Sequence, residues 1–360
     1  MIRAVKLSLK FATAKKRRAI AAVLDRYRSS TNKYIEEIWD RGGSLDKETA
    51  EYVSCGRLSF RQRSHALQQS LSIISATVSS AKEQGSQPSR PHFHGAMILS
   101  KQVAWVEPAK RSMTFDLWLK FSSLRRGRRL NIPLKATKRF RYWQSKPGAV
   151  LKTGCAIGDK GGSLYVIIWF EIPDCESKSE GRSIGVDVGI NTLLMTSEGV
   201  GIGDKFKELS LRIRRCKPGS RGMRRARSTR DNYIGQCVNS LPWTELKFIG
   251  VENLKNLKKG KNKTRSKSFR KALAPWTYAY VLRRIELKAQ ENRVLLIPVN
   301  PAYTSQTCPS CTHRARSNRD NKRFKCTACG YEADADYVGS LNILSRAVEE
   351  RTVPQKKRQQ

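Results

Sequence analysis

Residues 324–344, FKCTACGYEADADYVGSLNIL, combine a cysteine pair, three acidic side chains and the beginning of an apolar helical pattern. The pair is the second of two, and the full set is Cys308-x2-Cys311-x14-Cys326-x2-Cys329. Each CxxC pair can form a tight turn that directs two thiolates at one ion, and four sulfur ligands close a tetrahedral site. The spacing therefore predicts one structural Zn²⁺ ion on a ribbon hairpin rather than a disulfide framework.

The three acidic residues of this stretch, Glu332, Asp334 and Asp336, stand out because the chain is strongly basic. Its 360 residues include 70 Lys and Arg against 30 Asp and Glu, which leaves a net charge of +40. Such a charge favours binding to a polyanion, and nucleic acid is the favoured partner. No apolar run approaches the roughly 18 residues of a membrane span, and the N-terminus lacks a secretory signal. The composition predicts a soluble intracellular protein without a membrane partner.

Two further carboxylates lie where a charge is costly. Asp187, in SIGVDVGIN, is flanked by valines on an apolar strand, and Glu252, in KFIGVENL, ends another. A buried carboxylate is unfavourable unless it is paired or binds metal, and ligand sites of open α/β sheets collect at strand ends. With Asp336 at the start of the last helix, these residues indicate a phosphodiester-cleaving site that holds two Mg²⁺ ions on hard oxygen ligands.

Each of these acids also has a structural interpretation. Asp187 could satisfy a turn or a core hydrogen bond, and Glu252 could be a charge at a helix start. Asp334 or Asp336 could cap the last helix, since Asp is a favoured N-cap residue. The residues alone leave open which of Glu332, Asp334 and Asp336 takes part in chemistry and which are solvated or capping charges.

Hydrophobic periodicity predicts a mixed chain in two parts. A first strand is followed by helices up to about Gly85, and then by short strands, of which MILSKQVAWVE (97–107) is interpreted as one. A second part, from about Arg182, alternates strands and helices. It contains two basic runs: residues 205–230 with eleven Lys or Arg and residues 255–271 with nine. Because these runs flank the candidate carboxylates, they are interpreted as phosphate-binding surfaces.

The motifs IGVDVGIN, KFIGVENLKNL, NPAYTSQTCPSC and FKCTACGYEADADYVGSLNIL occur in the order and context of TnpB-type proteins. The chain resembles these RNA-guided nucleases, the transposon-encoded OrfB family, which are relatives of the miniature type V CRISPR effectors. The C-terminal half carries the specific motifs. The N-terminal half matches the family only in its order of strand, helices and strands.

The resemblance implies a multidomain α+β fold with two principal domains. The first is a split β-barrel wedge domain with an inserted helical recognition lobe, and the second is a RuvC domain of RNase H-like α/β fold with an inserted four-cysteine zinc ribbon. The wedge is expected to comprise residues 1–11 and 86–178, with the recognition lobe at 12–85. The RuvC domain is expected at 181–300 and 335–348, interrupted by the zinc-ribbon insert at 301–334, which would bind target nucleic acid. Residues 349–360 are expected to be a disordered basic tail.

By motif position, the resemblance implies that Asp187, Glu252 and Asp336 are the RuvC carboxylates that hold two catalytic Mg²⁺ ions. The same motif position leaves Glu332 and Asp334 as solvated or capping charges, with Asp334, which falls two residues too early, as the fallback for the third carboxylate. The implied ligands of the structural zinc are Cys308, Cys311, Cys326 and Cys329.

Three departures from the family pattern are visible. Val338, Gly339 and Ser340 replace the usual Asn-Ala-Ala, so an amide that would support Asp336 is missing. Thr312 stands where a glycine often follows the second cysteine. The stretch between the first two carboxylates is shorter than usual, which puts its helical part in doubt.

The function implied by the resemblance is Mg²⁺-dependent DNA cleavage at a single RuvC site, directed by an omega-type or CRISPR guide RNA. Guide pairing would read double-stranded target DNA, and the protein would read a short flanking motif. The expected location is the cytoplasm of a prokaryote, on the nucleoid when bound to DNA, with a viral or mobile-element origin as the alternative. The alternative functions are a miniature type V CRISPR effector with the same chemistry, a non-cleaving RNA-guided DNA-binding regulator, and a transposase.

Overall fold

The computed structural model describes residues 1–42, 58–109, 114–125, 127–174, 176–253 and 276–352. The chain divides into two compact units, Met1–Asp174 and Cys175–Gln360. The basic run at 255–271, the single cysteines Cys55 and Cys175, and residues 353–360 of the predicted tail lie outside the described residues. None of the helices in the described ranges is long and apolar enough to cross a membrane.

The described part of the first unit consists of two antiparallel sheets and three helices. Its elements are β1 Ile2–Ser8, α1 Ala14–Asp40, α2 Phe60–Gln84, β2 Met97–Leu99, β3 Ala104–Pro108, β4 Leu117–Ser122, β5 Arg129–Leu134, α3 Lys138–Gln144, β6 Val150–Lys160 and β7 Ser163–Glu171. One sheet has the order β1-β7-β6-β2 and the other the order β3-β4-β5. The strict alternation of buried and exposed residues along β1 is that of a strand with one face in the core.

The two long helices of this unit begin at side-chain caps. The Thr13 hydroxyl accepts a hydrogen bond from the Lys16 backbone N–H, and Ser59 and Gln62 form a reciprocal capping box. Apolar residues then repeat every three or four positions along α1, and they are buried in the same core as β1. The helices expected before Gly85 are therefore present as α1 and α2.

The stretch interpreted as one strand at 97–107 is two strands in different sheets, so that interpretation was wrong. The Val103 N–H donates to the Ser100 carbonyl at 3.0 Å, and this turn separates β2 from β3. The turn contains neither Gly nor Pro, the residues that mark most turns in a sequence.

The second unit is built on a mixed five-stranded sheet. Its elements are β8 Arg182–Asp187, β9 Leu194–Thr196, β10 Gly201–Ile202, α4 Phe206–Arg215, α5 Arg221–Asn239, β11 Leu246–Glu252, α6 Trp276–Glu291, β12 Leu295–Val299, a 3-10 turn at Arg316–Asn318, β13 Arg319–Asp320, β14 Arg323–Lys325, β15 Glu332–Asp334 and α7 Ala335–Thr352. The strand order is β10-β9-β8-β11-β12. Strands β8, β11 and β12 are parallel, whereas β9 and β10 continue the sheet antiparallel.

Helices cover both faces of this sheet. Ile249 and Val251 of β11 pack in one cluster with residues of α5 and α6, whereas Phe248 packs with residues of α7 on the other face. Helix α7 extends through residues 349–352, which the sequence assigned to the tail. The mixed α+β class predicted from the sequence is confirmed.

A pair of glycines lets α7 lie close against the sheet. Gly185 of β8 and Gly250 of β11 are directly opposite each other in the parallel register. A Cβ atom at position 185 would lie 2.6 Å from the Leu344 backbone nitrogen, and one at position 250 would lie 2.8 Å from the Ala347 methyl. Larger residues in β8 and β11 would push the helix away from the strand ends that it has to reach.

The cysteine segment folds as a small three-stranded sheet, β13-β14-β15, that leads directly into α7. Its core contains Cys308, Phe324 and Cys326 together with Ala335 and Val338 from the first turns of α7. The ribbon and the start of α7 are therefore one packed body.

Candidate active site and metal centre

The four cysteines predicted to bind zinc converge. Their sulfur atoms all lie within 4.8 Å of one another, with Cys308 Sγ 3.6 Å from Cys329 Sγ and Cys311 Sγ 3.5 Å from Cys326 Sγ. Zn–S bonds of about 2.3 Å in a tetrahedron require sulfur atoms about 3.8 Å apart. The donor set and its spacing are consistent with zinc.

In the second CxxC turn, which here is called the second knuckle, backbone N–H groups stabilise the thiolate form of Cys326. The Cys329 N–H donates to Cys326 Sγ at 3.5 Å, and this bond, with a second from the Ala328 N–H, lowers the pKa of Cys326 below the usual value of a thiol. Because the thiolate is the form that binds metal, the turn favours the ligating state.

The residue after each second cysteine adopts a left-handed backbone conformation. Gly330 has φ 76°, and Thr312 at the equivalent place has φ 62°. The left-handed region costs an L-residue roughly 1–2 kcal/mol. The departure noted at Thr312 therefore places a β-branched residue in a glycine conformation, without changing the turn.

Gly330→Thr is expected to accelerate zinc release to a chelator about tenfold, because 1.4 kcal/mol of strain is a factor of ten and the left-handed region costs about that much. Thr312→Gly should slow the release, since it removes the same strain from the first knuckle. Release is followed with a colorimetric zinc indicator. Ala328→Thr, in the same exposed turn but at an ordinary φ, is the matched control. Equal rates for the variants at 328 and 330 would contradict the strain argument.

The first two candidate carboxylates lie side by side at one end of the sheet. Val186 of β8 and Val251 of β11 are partners in the parallel register, so Asp187 and Glu252 are the next residues on adjacent strands. Both are partly buried. Parallel strands bring their carboxyl ends to one edge of a sheet, where ligands bind.

Asp336 joins this pair electrostatically. Burial, and after it the charges of Glu252 and Asp336, together raise the pKa of Asp187 to about 7, against the smaller opposing effects of Arg319 and the Val188 N–H. Within the described residues, the four cysteines are the metal-ligand group whose donor atoms gather within 4.8 Å, so the three carboxylates are more widely spaced. The three carboxylates are therefore coupled electrostatically but do not form a closed cage around one ion.

Glu252 is held at both its side chain and its backbone. The Thr304 hydroxyl donates to Glu252 Oε1 at 2.5 Å, and the Tyr278 hydroxyl donates to the Glu252 carbonyl at 2.7 Å. Burial raises the pKa of Glu252, and the Thr304 hydrogen bond opposes this shift. The arrangement fixes one oxygen of the Glu252 carboxylate and the carbonyl of the same residue.

The three acids of the 326–336 stretch have three different environments. Asp334 Oδ1 accepts from the backbone N–H groups of Asp336 and Tyr337 at 2.9 and 3.1 Å, which makes Asp334 the cap of α7. The exposed Glu332 pairs with Arg323 of the neighbouring strand β14. Asp336 lies in the first turn of α7, and Arg319 Nη2 is 3.2 Å from its Oδ1.

The residues that replace the family's Asn-Ala-Ala have packing roles. Val338 is buried in the ribbon core, and the Ser340 hydroxyl donates to the Tyr337 carbonyl at 2.7 Å. A Cβ atom at position 339 would lie 3.3 Å from Asp187 Oδ2, so Gly339 lets α7 pass close to that carboxylate.

The basic run at 205–230 forms α4 and α5, which fill the interval that looked short in the sequence. Ten of its eleven basic residues are exposed, whereas Arg230 is 3% exposed and pairs with Asp231 at 2.7 Å. Sequence reasoning missed this structural role of Arg230. It also missed Thr304, Tyr278 and Arg319 as partners of the carboxylates, although Thr304 lies in the NPAYTSQTCPSC motif.

Comparison with known proteins agrees with the motifs. The Cas12f1-like, TNB domain family matches residues 278–343, from α6 through the ribbon into α7. The chain is 44% identical over 72 residues to the CRISPR-associated endodeoxyribonuclease Cas12f1 of Sulfoacidibacillus thermotolerans, which covers 20% of this chain and 17% of that protein. It is 30% identical over 120 residues to the TnpB-like protein MJ0751 of Methanocaldococcus jannaschii, which covers 32% of this chain and 42% of that protein.

Among solved structures, a chain of the Cas12f1–sgRNA–target DNA complex aligns with a TM-score of 0.55 at 17% identity, over 91% of this chain and 82% of that chain. This likeness concerns the fold. The resemblance predicted from the motifs is confirmed: the chain is related to the TnpB-like and Cas12f1-like family of RNA-guided nucleases. The matched parts span less than half the length of the two curated relatives.

Proposed function

We propose that the chain is an RNA-guided DNA endonuclease that hydrolyses phosphodiester bonds at one site formed by Asp187, Glu252 and Asp336. The observation that carries the proposal is the electrostatic coupling of Asp187 to the other two carboxylates at the ends of β8 and β11 and the start of α7. A carboxylate whose pKa is raised by burial and by neighbouring carboxylates, as that of Asp187 is, is typical of functional sites.

The sheet supports a RuvC assignment for the second unit. Its order β10-β9-β8-β11-β12, with antiparallel pairing on one side of β8 and parallel pairing on the other, is compatible with an RNase H-like fold. The four-cysteine ribbon between β12 and α7 corresponds to the proposed insert at 301–334. In the first unit, β1 pairs with β7, although α1 and α2 lie between these two strands in the sequence. This pairing supports a wedge that is interrupted by a helical lobe.

The donor set suits two Mg²⁺ ions, because Mg²⁺ prefers hard carboxylate oxygens. When bound, the ions would supply an activated water and stabilise the leaving oxygen. Asp187, Glu252 and Asp336 would hold them, and loss of the proton on Asp187 would accompany binding. Thr304 and Tyr278 orient Glu252, and Arg319 lies beside Asp336, where it lowers the repulsion among the carboxylates.

The remaining surfaces support binding of a nucleic acid. The exposed basic residues of α4 and α5 are suited to phosphate contacts, and the ribbon between the cysteine pairs carries further arginines. Guide RNA and double-stranded DNA are the proposed partners. A miniature type V CRISPR effector would use the same chemistry with a guide from another source.

The test is to purify the chain from cells that express it with its native flanking DNA, and to sequence the RNA that copurifies. One defined RNA species, protected against nuclease by the protein, is the expected result. A non-cleaving regulator would also retain an RNA, but it would not cut DNA that matches that RNA in Mg²⁺. A transposase would retain no defined RNA, and that outcome would overturn the proposal.

A further inference from the structure

We propose that Thr304 is a positioning residue that locks the Glu252 carboxylate to helix α7, and so to Asp336. This inference rests on the proposed function, because it concerns how the same site is held in register. Thr304 lies in the segment that joins β12 to the first cysteine pair, and it is 3% exposed.

The hydroxyl of Thr304 has two possible acceptors and lies closer to the Glu252 carboxylate than to a backbone carbonyl. Glu252 Oε1 lies at 2.5 Å, whereas the Pro301 carbonyl lies at 3.1 Å. A hydroxyl carries one proton, and hydrogen bonds to an ionised carboxylate are shorter and about twice as strong as those to a neutral acceptor. The carboxylate is therefore the partner of the Thr304 proton.

The backbone of the same residue is fixed to the last helix. Asn342 Nδ2 donates to the Thr304 carbonyl at 2.7 Å and to the Thr307 carbonyl at 2.8 Å. Asn342 is 8% exposed and lies six residues after Asp336 on α7. A side-chain amide has two donor hydrogens, and both are used to hold this segment against the helix that carries the third carboxylate.

The consequence is a continuous chain of contacts from one carboxylate to the other. It runs from Glu252 through the Thr304 hydroxyl and carbonyl to Asn342, and along α7 to Asp336. The hydrogen bond at Oε1 sets the orientation of the whole Glu252 carboxylate, which is the group proposed to hold a cation. Partners that orient metal ligands in this way typically contribute 10–100-fold to metal affinity or activity.

The test compares Thr304→Val, which keeps the shape and removes the hydroxyl, with Thr304→Ser, which keeps the hydroxyl. Thr307→Val is the matched control, because its hydroxyl donates to the Tyr303 carbonyl and touches no carboxylate. The full chain with its copurified RNA is used. One readout is the Mg²⁺ concentration that gives half-maximal guided cleavage.

The second readout does not depend on nuclease activity. In aerated buffer, bound Fe²⁺ reduces dioxygen to reactive oxygen species that cut the polypeptide nearby, ascorbate regenerates the Fe²⁺, and mass spectrometry of the fragments near 187, 252 and 336 reports occupancy. Thr304→Val is expected to need at least about tenfold more metal in both assays, whereas Thr304→Ser and Thr307→Val should stay close to the wild type.

Two outcomes would overturn the positioning role. One is a Thr304→Val variant that matches Thr307→Val in both assays. The other is a Thr304→Ser variant that loses the site as completely as Thr304→Val, because the hydroxyl would then not be the group that matters. Glu252→Gln separates this proposal from the function. If Glu252→Gln cuts and binds metal normally, the proposed active site itself fails; if it is dead while Thr304→Val is normal, only the positioning role fails.

Discussion

Asp187→Asn is expected to stop guided DNA cleavage, by roughly 10³-fold or more, and to leave RNA and DNA binding intact. Loss of a carboxylate that holds catalytic Mg²⁺ removes several kcal/mol of transition-state stabilisation, and each 1.36 kcal/mol is a factor of ten in rate. Binding is spared because Asp187 lies at the end of β8, where Asn has nearly the same shape. Cleavage is measured on DNA that matches the copurified RNA, and binding by gel shift on the same DNA.

The same variant should change how stability depends on pH when Mg²⁺ is left out. The pKa of Asp187 is about 7 in the folded protein and about 3.9 in an unfolded chain. The folded state therefore binds the proton more tightly, and its contribution is fully present below pH 4 and lost as pH rises through 7. The unfolding temperature of the zinc-loaded protein should therefore decrease less between pH 4 and pH 7 in Asp187→Asn than in the wild type.

Asp204→Asn is the control, because Asp204 is an exposed aspartate of the same unit that bonds to Tyr233 rather than to the carboxylates. It should cut DNA normally and keep the wild-type pH dependence. If Asp187→Asn cleaves like Asp204→Asn, the carboxylates at the strand ends are not the active site.

Cys326→Ser is expected to remove zinc and, with it, both the Asp336 site and cleavage. Cys326 and Cys308 share a small core with Phe324 and with Ala335 and Val338 of α7. In small zinc modules the free energy of zinc binding contributes directly to folding, and in zinc-finger peptides it is of the order of 10–16 kcal/mol. Once the ribbon opens, the cap at Asp334 and the first turn of α7 lose the strand that leads into them.

Zinc content by elemental analysis, protease sensitivity between residues 308 and 334, and guided cleavage are measured on one preparation. Cys216→Ser is the matched control, since Cys216 is a half-buried cysteine outside the cluster. A Cys326→Ser protein that has lost its zinc but cuts at the wild-type rate would show that the ribbon does not hold Asp336 in place.

Sequence patterns predicted which residues would be the candidates better than the contacts that support them. Cysteine spacing fixes a metal geometry locally, so the cluster could be predicted without a structure. Asp187 and Glu252 could be proposed as a pair at one end of the sheet because a carboxylate that ends an apolar strand is rare in so basic a chain. Local chemistry predicted a cap at Asp334 or Asp336, and the cap is Asp334, whose carboxylate accepts from N–H groups two and three residues ahead.

The contacts that orient these residues depend on tertiary packing and could not be predicted. Thr304 meets Glu252 across 52 residues of sequence, and Arg319 meets Asp336 only because β13 and α7 belong to one ribbon. Similarly, Arg230 looked like one more phosphate-binding residue in a basic run, but burial beside Asp231 makes it structural. Periodicity shows which face of a helix is buried and cannot show what covers it.

The central claim is that one Mg²⁺-dependent site, made by Asp187, Glu252 and Asp336, cuts DNA chosen by a bound RNA. Its most direct test is to mix the purified protein–RNA complex with two linear duplexes, one matching the RNA and one scrambled, with and without Mg²⁺. We expect the complex to cleave only the matching duplex and only when Mg²⁺ is present, and Glu252→Gln to cleave neither duplex. Cleavage that ignores the RNA sequence, or that survives in Glu252→Gln, would contradict it.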